Sequence, residues 1–233
     1  MTELLYLKDS YAREFKAQVL HANGREIVVD RTCFYPAGGG QPSDAGRFVM
    51  NEEFKVLSAR KSDQGIVHEL DKDGLKPGDK VSGFIDWDRR YKLMRSHTAI
   101  HVLVSVICKH TGALITGNQI DLDKSRIDFN LEQFDKETIR KYIQEANDLI
   151  SNDLPITIEF ATREKALQDP SLFKLMKGFP ENIKDIRIVT IDSIDKQADG
   201  GTHVKSTKEI GKIELIECEN KGKNNRRIYI KLA

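Results

Sequence analysis

Three histidines carry the clearest chemistry in this chain. His97 and His101 stand four residues apart in Arg95-Ser96-His97-Thr98-Ala99-Ile100-His101, and His203 closes Asp199-Gly200-Gly201-Thr202-His203 about a hundred residues later. On a helix, residues four apart share a face, so both imidazoles can reach one ion. Two histidines on a helix with a third on a loop is one way to build a zinc site. The same spacing also describes two helix-face histidines with ordinary hydrogen bonds. Spacing alone favours that second reading, and the apolar neighbours Ile100 and Val104 shift the balance somewhat toward ligands, because a buried imidazole needs polar compensation. A second cluster is Thr32-Cys33-Phe34-Tyr35-Pro36-Ala37-Gly38-Gly39-Gly40-Gln41-Pro42-Ser43-Asp44-Ala45-Gly46. Three consecutive glycines let a backbone approach a ligand and point amides at it. A bare glycine triplet also describes a mobile surface loop, but Tyr35-Pro36 and Pro42 stiffen this one.

The elements that must position these groups fall into two textures. Up to about residue 87 the chain reads as short strands broken by turn residues. Phe15–Leu20 and Glu26–Asp30 flank Asn23-Gly24, a hairpin signal because both residues tolerate positive φ. Phe48–Met50, Phe54–Leu57, Ile66–Leu70 and Lys80–Ile85 follow at even spacing, which predicts a small barrel or sandwich. From Asp88 to His110, Leu93, Met94, Ile100, Leu103, Val104 and Ile107 recur at helical spacing, with Asp86 or Asp88 as cap and Gly112 as stop. Strands around 113–120 and 125–130 precede a second helix over 135–151, with Ile139, Tyr142, Ile143, Ala146 and Ile150 on one face. A strand over 155–160, a short helix near 163–168 and a strand over 186–191 complete an α+β pattern. The expected division is 1–87 and 88–233.

Composition removes other classes. The 233 residues hold 37 Lys/Arg against 36 Asp/Glu, a net charge of +1, which argues against nucleic-acid binding by bulk electrostatics. No apolar run approaches the ~20 residues that span a bilayer, and the start lacks a signal-peptide layout. Cys33, Cys108 and Cys218 are odd in number and widely spaced, so a reducing, cytoplasmic setting is expected rather than a disulfide scaffold. No membrane or obligate protein partner is indicated. The basic run of Lys221, Lys223, Arg226, Arg227 and Lys231 around Tyr229 reads either as a solvated terminal strand or as a phosphate contact.

Taken together, Phe34 to Gly46, Arg95 to His101, and Gly200-Gly201-Thr202-His203-Val204 with Glu209-Ile210-Gly211 resemble the AlaX family, free-standing relatives of the editing domain of alanyl-tRNA synthetase. The resemblance spans essentially the whole chain. It implies an N-terminal β-barrel domain (1–87) carrying the glycine-rich loop and an α+β editing domain (88–233). It also implies zinc bound by the His-x-x-x-His pair and a later Cys-x-x-x-His. Here Asp199 stands where the family has cysteine, giving His97, His101, Asp199 and His203, and a carboxylate is a chemically sound zinc ligand. The implied activity is hydrolysis of mischarged tRNA(Ala), chiefly Ser-tRNA(Ala) and also Gly-tRNA(Ala), at the acceptor end. A pocket built for alanine rejects serine or glycine poorly, so a second hydrolytic site is needed.

The resemblance assigns Gly38, Gly39, Gly40 and Gln41 to recognition of the serine moiety. Arg126-Ile127-Asp128-Phe129 matches a family strand motif that puts Arg126 and Asp128 on one face, toward substrate or in a structural ion pair. Gln119 reads as a water-positioning group or a polar turn residue. His68 reads as a strand residue with a satisfied ring, and His21 and His110 as surface residues. Three rival readings stand beside this one. Gly39-Gly40-Gln41 also suggests a release-factor-like peptidyl-tRNA hydrolase, the histidines a zinc hydrolase of another aminoacyl-tRNA or a small ester, and the whole a non-catalytic tRNA-binding module.

Overall fold

The computed structural model describes residues 2–132, 135–173 and 184–233. The chain divides into two compact units, Met1–Lys92 and Leu93–Ala233.

In the first unit, β1 (Glu3–Leu4) pairs in parallel with β4 (Arg31–Thr32). The strands β2 (Glu14–Asn23), β3 (Glu26–Val29), β5 (Gly46–Val49), β6 (Glu53–Ser62), β7 (Gly65–Leu70) and β8 (Lys80–Ile85) close a barrel in the order β2-β3-β7-β6-β5-β8. Alternation along β2 sends Phe15, Ala17 and Val19 inward, where they meet Ile27, Val29, Phe34, Phe48, Val56 and Leu70. His68 on β7 is fully buried in this core, edge-on to Phe34 and Phe48 at 5.3 and 5.2 Å. Its ring is satisfied by the Thr32 hydroxyl at 2.9 Å and the Ile27 carbonyl at 3.2 Å.

Burial pushes the His68 imidazole down to about 4, against the raising effect of backbone bonds at Ile27 and Ile66. The unfolded chain, with a histidine near 6.5, takes up a proton that the barrel refuses. Stability contributed by the neutral ring is therefore complete above pH 6.5 and is lost as pH falls toward 4, by about 3 kcal/mol. Urea titrations followed by Trp87, the single tryptophan and part of this unit, check the expectation. The midpoint should fall across that window in the parent and much less in His68→Gln; equal slopes would reject it.

α1 (Trp87–Thr111) starts where the Asp86 carboxylate accepts the Arg89 N–H at 3.1 Å, and ends at Gly112, whose N–H donates to the Cys108 carbonyl at 2.8 Å. The sequence pattern puts one apolar face on this helix. Instead every residue from Leu93 to Ile107 except Arg95 is buried, because Ala99, Val102, Ser105 and Val106 also leave solvent. A helix buried all round shows little amphipathic contrast.

The second unit contains two antiparallel sheets. One has the order β14-β15-β10-β9, built from β9 (Ile115–Gln119), β10 (Ser125–Phe129), β14 (Ile213–Asn220) and β15 (Arg226–Leu232). The other is β11 (Ile156–Thr162), β12 (Asp185–Ile191) and β13 (Asp195–Ala198). α2 (Lys136–Ser151) is capped by Asp135 and packs on β14, where the Asn147 amide brackets Ile213 through both backbone groups. α3 (Arg163–Ala166) is one turn. The expected solvated strand near the C-terminus is corrected here. β15 lies between β14 and β10, with Arg226, Ile228 and Ile230 buried. Among the described residues no helix is long and apolar enough to cross a membrane.

Candidate metal centre and glycine hairpin

α1 and the segment after β13 bring four potential ligands together. One ligand atom each from His97, His101, Asp199 and His203 lies within 4.8 Å of the others. The ring centroids of His97, His101 and His203 stand 4.5 to 5.1 Å apart. All three histidines are buried, whereas the Asp199 side chain is one-fifth exposed (20%), so solvent enters on its side.

The hydrogen bonds around the cluster fix which ring nitrogens face inward. Thr98 spends its hydroxyl proton on the Met94 carbonyl (2.9 Å), so toward His203 Nδ1, 3.1 Å away, it accepts. His203 therefore carries its proton on Nδ1, as assigned from the network. Its Nε2 lone pair then faces Asp199 Oδ2 at 2.9 Å. His101 Nδ1 donates to the Asp195 carboxylate at 2.9 Å, which leaves its Nε2 lone pair 4.0 Å from Asp199 Oδ1. His97 Nε2 is 3.6 Å from that same oxygen. Acceptors thus converge on a carboxylate, and such a set repels itself unless a cation joins it. The donor chemistry fits a divalent metal held by nitrogen and one oxygen, with each outer partner orienting its ring.

The charge states agree. Burial drives the His97 imidazole well below the usual histidine range despite Asp199, and lowers His203 to about 4. The Asp199 carboxyl lies well below the usual carboxylate range although burial opposes its ionisation. Arg187 on β12 adds a buried cation, 3.8 Å from Asp199 Oδ2 and donating to the Asp199 carbonyl at 2.8 Å. Neutral imidazoles and an ionised carboxylate are the ligating forms.

In the first unit the glycine segment is an ordered hairpin. Gly38 and Gln41 exchange both backbone hydrogen bonds at 3.0 Å, with φ of 59° at Gly39 and 85° at Gly40. Positive φ at both central residues is the mirror-image turn that glycine adopts without strain. The Tyr35 hydroxyl donates to the Gly38 carbonyl at 2.8 Å, and Gln41 is buried. Arg90, itself fully buried, ties the two ends of the segment together. Its guanidinium donates to the Asp44 carboxylate, to the Cys33 carbonyl (2.6 Å) and to the Ser10 carbonyl (2.9 Å). Asp44 in turn accepts the Tyr35 N–H at 2.6 Å.

Asp128 lies on β10, where its carboxylate accepts from Arg126 at 3.1 Å and from Arg227 at 2.7 and 2.9 Å. Gln119 belongs to β9 rather than a turn, and its amide oxygen accepts from Arg126 at 3.1 Å. His110 sits on the surface, paired with Glu145. Sequence reasoning missed Asp195, Thr98 and Arg187. Thr98 lay inside the quoted histidine motif. Asp195 and Gln197 alternate on β13, but a strand whose inward face is polar leaves no apolar period to read.

Comparison with known proteins covers both units. The family described as "tRNA synthetases class II (A)" matches residues 4–89, and "Threonyl and Alanyl tRNA synthetase second additional domain" matches residues 186–229. The chain is 50% identical to alanyl-tRNA editing protein AlaX-M of Methanosarcina barkeri over 242 aligned residues, covering all of both chains. It is 46% identical to AlaX-M of Saccharolobus solfataricus, covering 98% of each. It is 39% identical to alanine–tRNA ligase of Pyrococcus abyssi over 94% of this chain and 24% of the ligase. With such identity along its full length, and the hairpin and the His/Asp cluster in place, the chain belongs to the AlaX-M family of alanyl-tRNA editing proteins.

Proposed function

We propose that this protein hydrolyses the ester of mischarged tRNA(Ala) in the cytoplasm, removing serine and also glycine, with zinc at His97, His101, Asp199 and His203. The observation that carries the reading is the convergence of the His101 and His203 Nε2 lone pairs on the Asp199 carboxylate in a chain of the editing family. In the reaction, water adds to the ester carbonyl and the bond to the ribose oxygen breaks. The ribose hydroxyl leaves with a proton, and the amino acid is freed. Zinc, when bound, supplies a Lewis acid that polarises a carbonyl or lowers the pKa of water. The chain's own contribution is positional. Asp195 and Thr98 lock two rings, Arg187 favours the ionised Asp199, and the editing unit (88–233) holds the acceptor end. The barrel unit (1–87) supplies the Gly38–Gln41 hairpin, which we assign to reading the amino acid through backbone bared by its glycines.

Deacylation of Ser-tRNA(Ala) and Ala-tRNA(Ala), together with elemental analysis, tests this. The parent should cleave the seryl ester, spare the alanyl ester, and carry about one zinc per chain. His203→Ala and Asp199→Ala should lose zinc and hydrolysis together, while Asp199→Cys keeps both. Gly40→Ala, which forces an L side chain to positive φ, should weaken serine selectivity with zinc unchanged. Equal cleavage of both esters, or full activity without metal, would overturn the reading.

A further inference from the structure

The sheet face formed by β9, β10 and β15 carries a second organised site. Ile127, Phe129, Ile228 and Ile230 alternate inward and are buried. The intervening residues pair across strands as Arg126 with Tyr229, Asp128 with Arg227, and Arg126 with Gln119. Gln119, Arg126, Arg227 and Tyr229 line a cavity of about 520 Å³ with Asp121 and Lys124. Three cations face it against one carboxylate, in a chain whose net charge is only +1. Asp128, buried beneath them, fixes two of the three. It takes Arg227 through two bonds and Arg126 through one, and Gln119 steadies Arg126 from the other side. Lys124 has no ion pair among the described residues, and its ammonium lies 4.9 Å from the centre of the Tyr229 ring. A narrower cleft shares Asp121 and Lys124 with this cavity and reaches Ser96, the residue before His97.

A cavity of that size, cationic, lined by fixed guanidiniums and bordered by a phenol, suits a phosphodiester chain better than an apolar ligand. We propose that this groove holds the sugar-phosphate backbone of the single-stranded RNA end that carries the ester, which rests on the deacylation reading above. Lys124 and Arg126 contact phosphate, and Asp128 acts through the arginines as a positioning residue. The C-terminal basic run therefore contributes one member, Arg227, held in place rather than solvated.

The test measures binding of a fluorescein-labelled, uncharged single-stranded RNA ending in CCA across a salt series. Lys124→Ala and Arg126→Gln together should weaken binding about tenfold and reduce the slope of log affinity against log salt by about 0.7 for each phosphate no longer neutralised. Zinc content and melting temperature should match the parent. Lys141→Ala, an exposed lysine on α2, should leave binding unchanged, and inorganic phosphate at equal phosphate concentration should fail to compete. Unchanged binding in the double variant, an equal loss in Lys141→Ala, or full competition by phosphate would each overturn the proposal. The probe carries no amino acid, so binding is scored whether or not any ester is cleaved. Groove-dependent binding without deacylation would overturn the function reading alone. Deacylation with binding indifferent to Lys124 and Arg126 would overturn the groove alone.

Discussion

Arg90→Met is expected to destabilise the barrel unit by about 3–5 kcal/mol, the usual cost of leaving one partner of a buried ion pair unpaired. Both side chains of the Arg90–Asp44 pair are fully buried, so Asp44 would keep its charge only at a large desolvation cost. The Cys33 and Ser10 carbonyls would lose their donor as well. Arg90→Lys should rescue little, because one ammonium cannot reproduce a planar fork serving Asp44, Cys33 and Ser10 at once. Adding Asp44→Leu to Arg90→Met should recover part of the loss by removing the orphaned charge. Urea midpoints followed by Trp87 measure all three variants. A loss below about 1 kcal/mol in Arg90→Met would show that the pair does not secure the hairpin ends.

The second large effect is steric. A methyl group on Gly201 would overlap the His97 ring at Cε1 and Nδ1 and crowd Asp199 Oδ2 at 3.1 Å. Gly201 has an ordinary backbone conformation, so the requirement for glycine there is space alone. Gly201→Ala must therefore push His97 away from His101, Asp199 and His203. Metal affinity should fall by about 100-fold, at the upper end of the loss seen when a ligand's support is disturbed. Gly200→Ala is the matched control, since a methyl there meets nothing within 4 Å. Competition against a chromophoric zinc chelator separates the two variants, and parent-like affinity in Gly201→Ala would sink the argument.

The sequence exposed those features whose signals are local. Asn23-Gly24 and the even strand spacing revealed an all-β unit, barrel or sandwich, because turn chemistry and period-two burial sit in adjacent residues; the choice of a barrel came from the family resemblance. Asp135 and the Ile139-Ile143-Ala146-Ile150 stripe marked α2 for the same reason. His97 and His101 were legible as a pair by spacing, but the place of Asp199 beside them came only through family resemblance. Hidden were relations across distant segments. Nothing in Ser10, Cys33, Asp44 or Arg90 reveals that one guanidinium joins them, since their separations in the chain reach 80 residues. β13 was invisible because its buried side chains, Asp195 and Gln197, are polar. The place of β15 inside its sheet was missed because Arg226 and Arg227 read as solvated charges, when Arg226 also reaches the Glu132 carbonyl and Arg227 pairs with Asp128, both about a hundred residues back.

Closure of the barrel has a consequence for self-association. Each of its six strands has a neighbour on both sides, so the ring presents no free row of backbone donors and acceptors to another molecule. Among the described residues, the two sheets of the other unit end at β9, β14, β11 and β13, and of these β11 has its first residue bonded to the Lys205 carbonyl at 2.9 Å. Their protection differs. β14 sets Glu214, Glu217 and Glu219 along its length, a run of negative charge that repels an identical strand, whereas β11 carries one acid, Glu159, already paired with Lys196, and leaves Phe160 half exposed. By charge, β11 is the less protected of these two edges, and the closed barrel offers none.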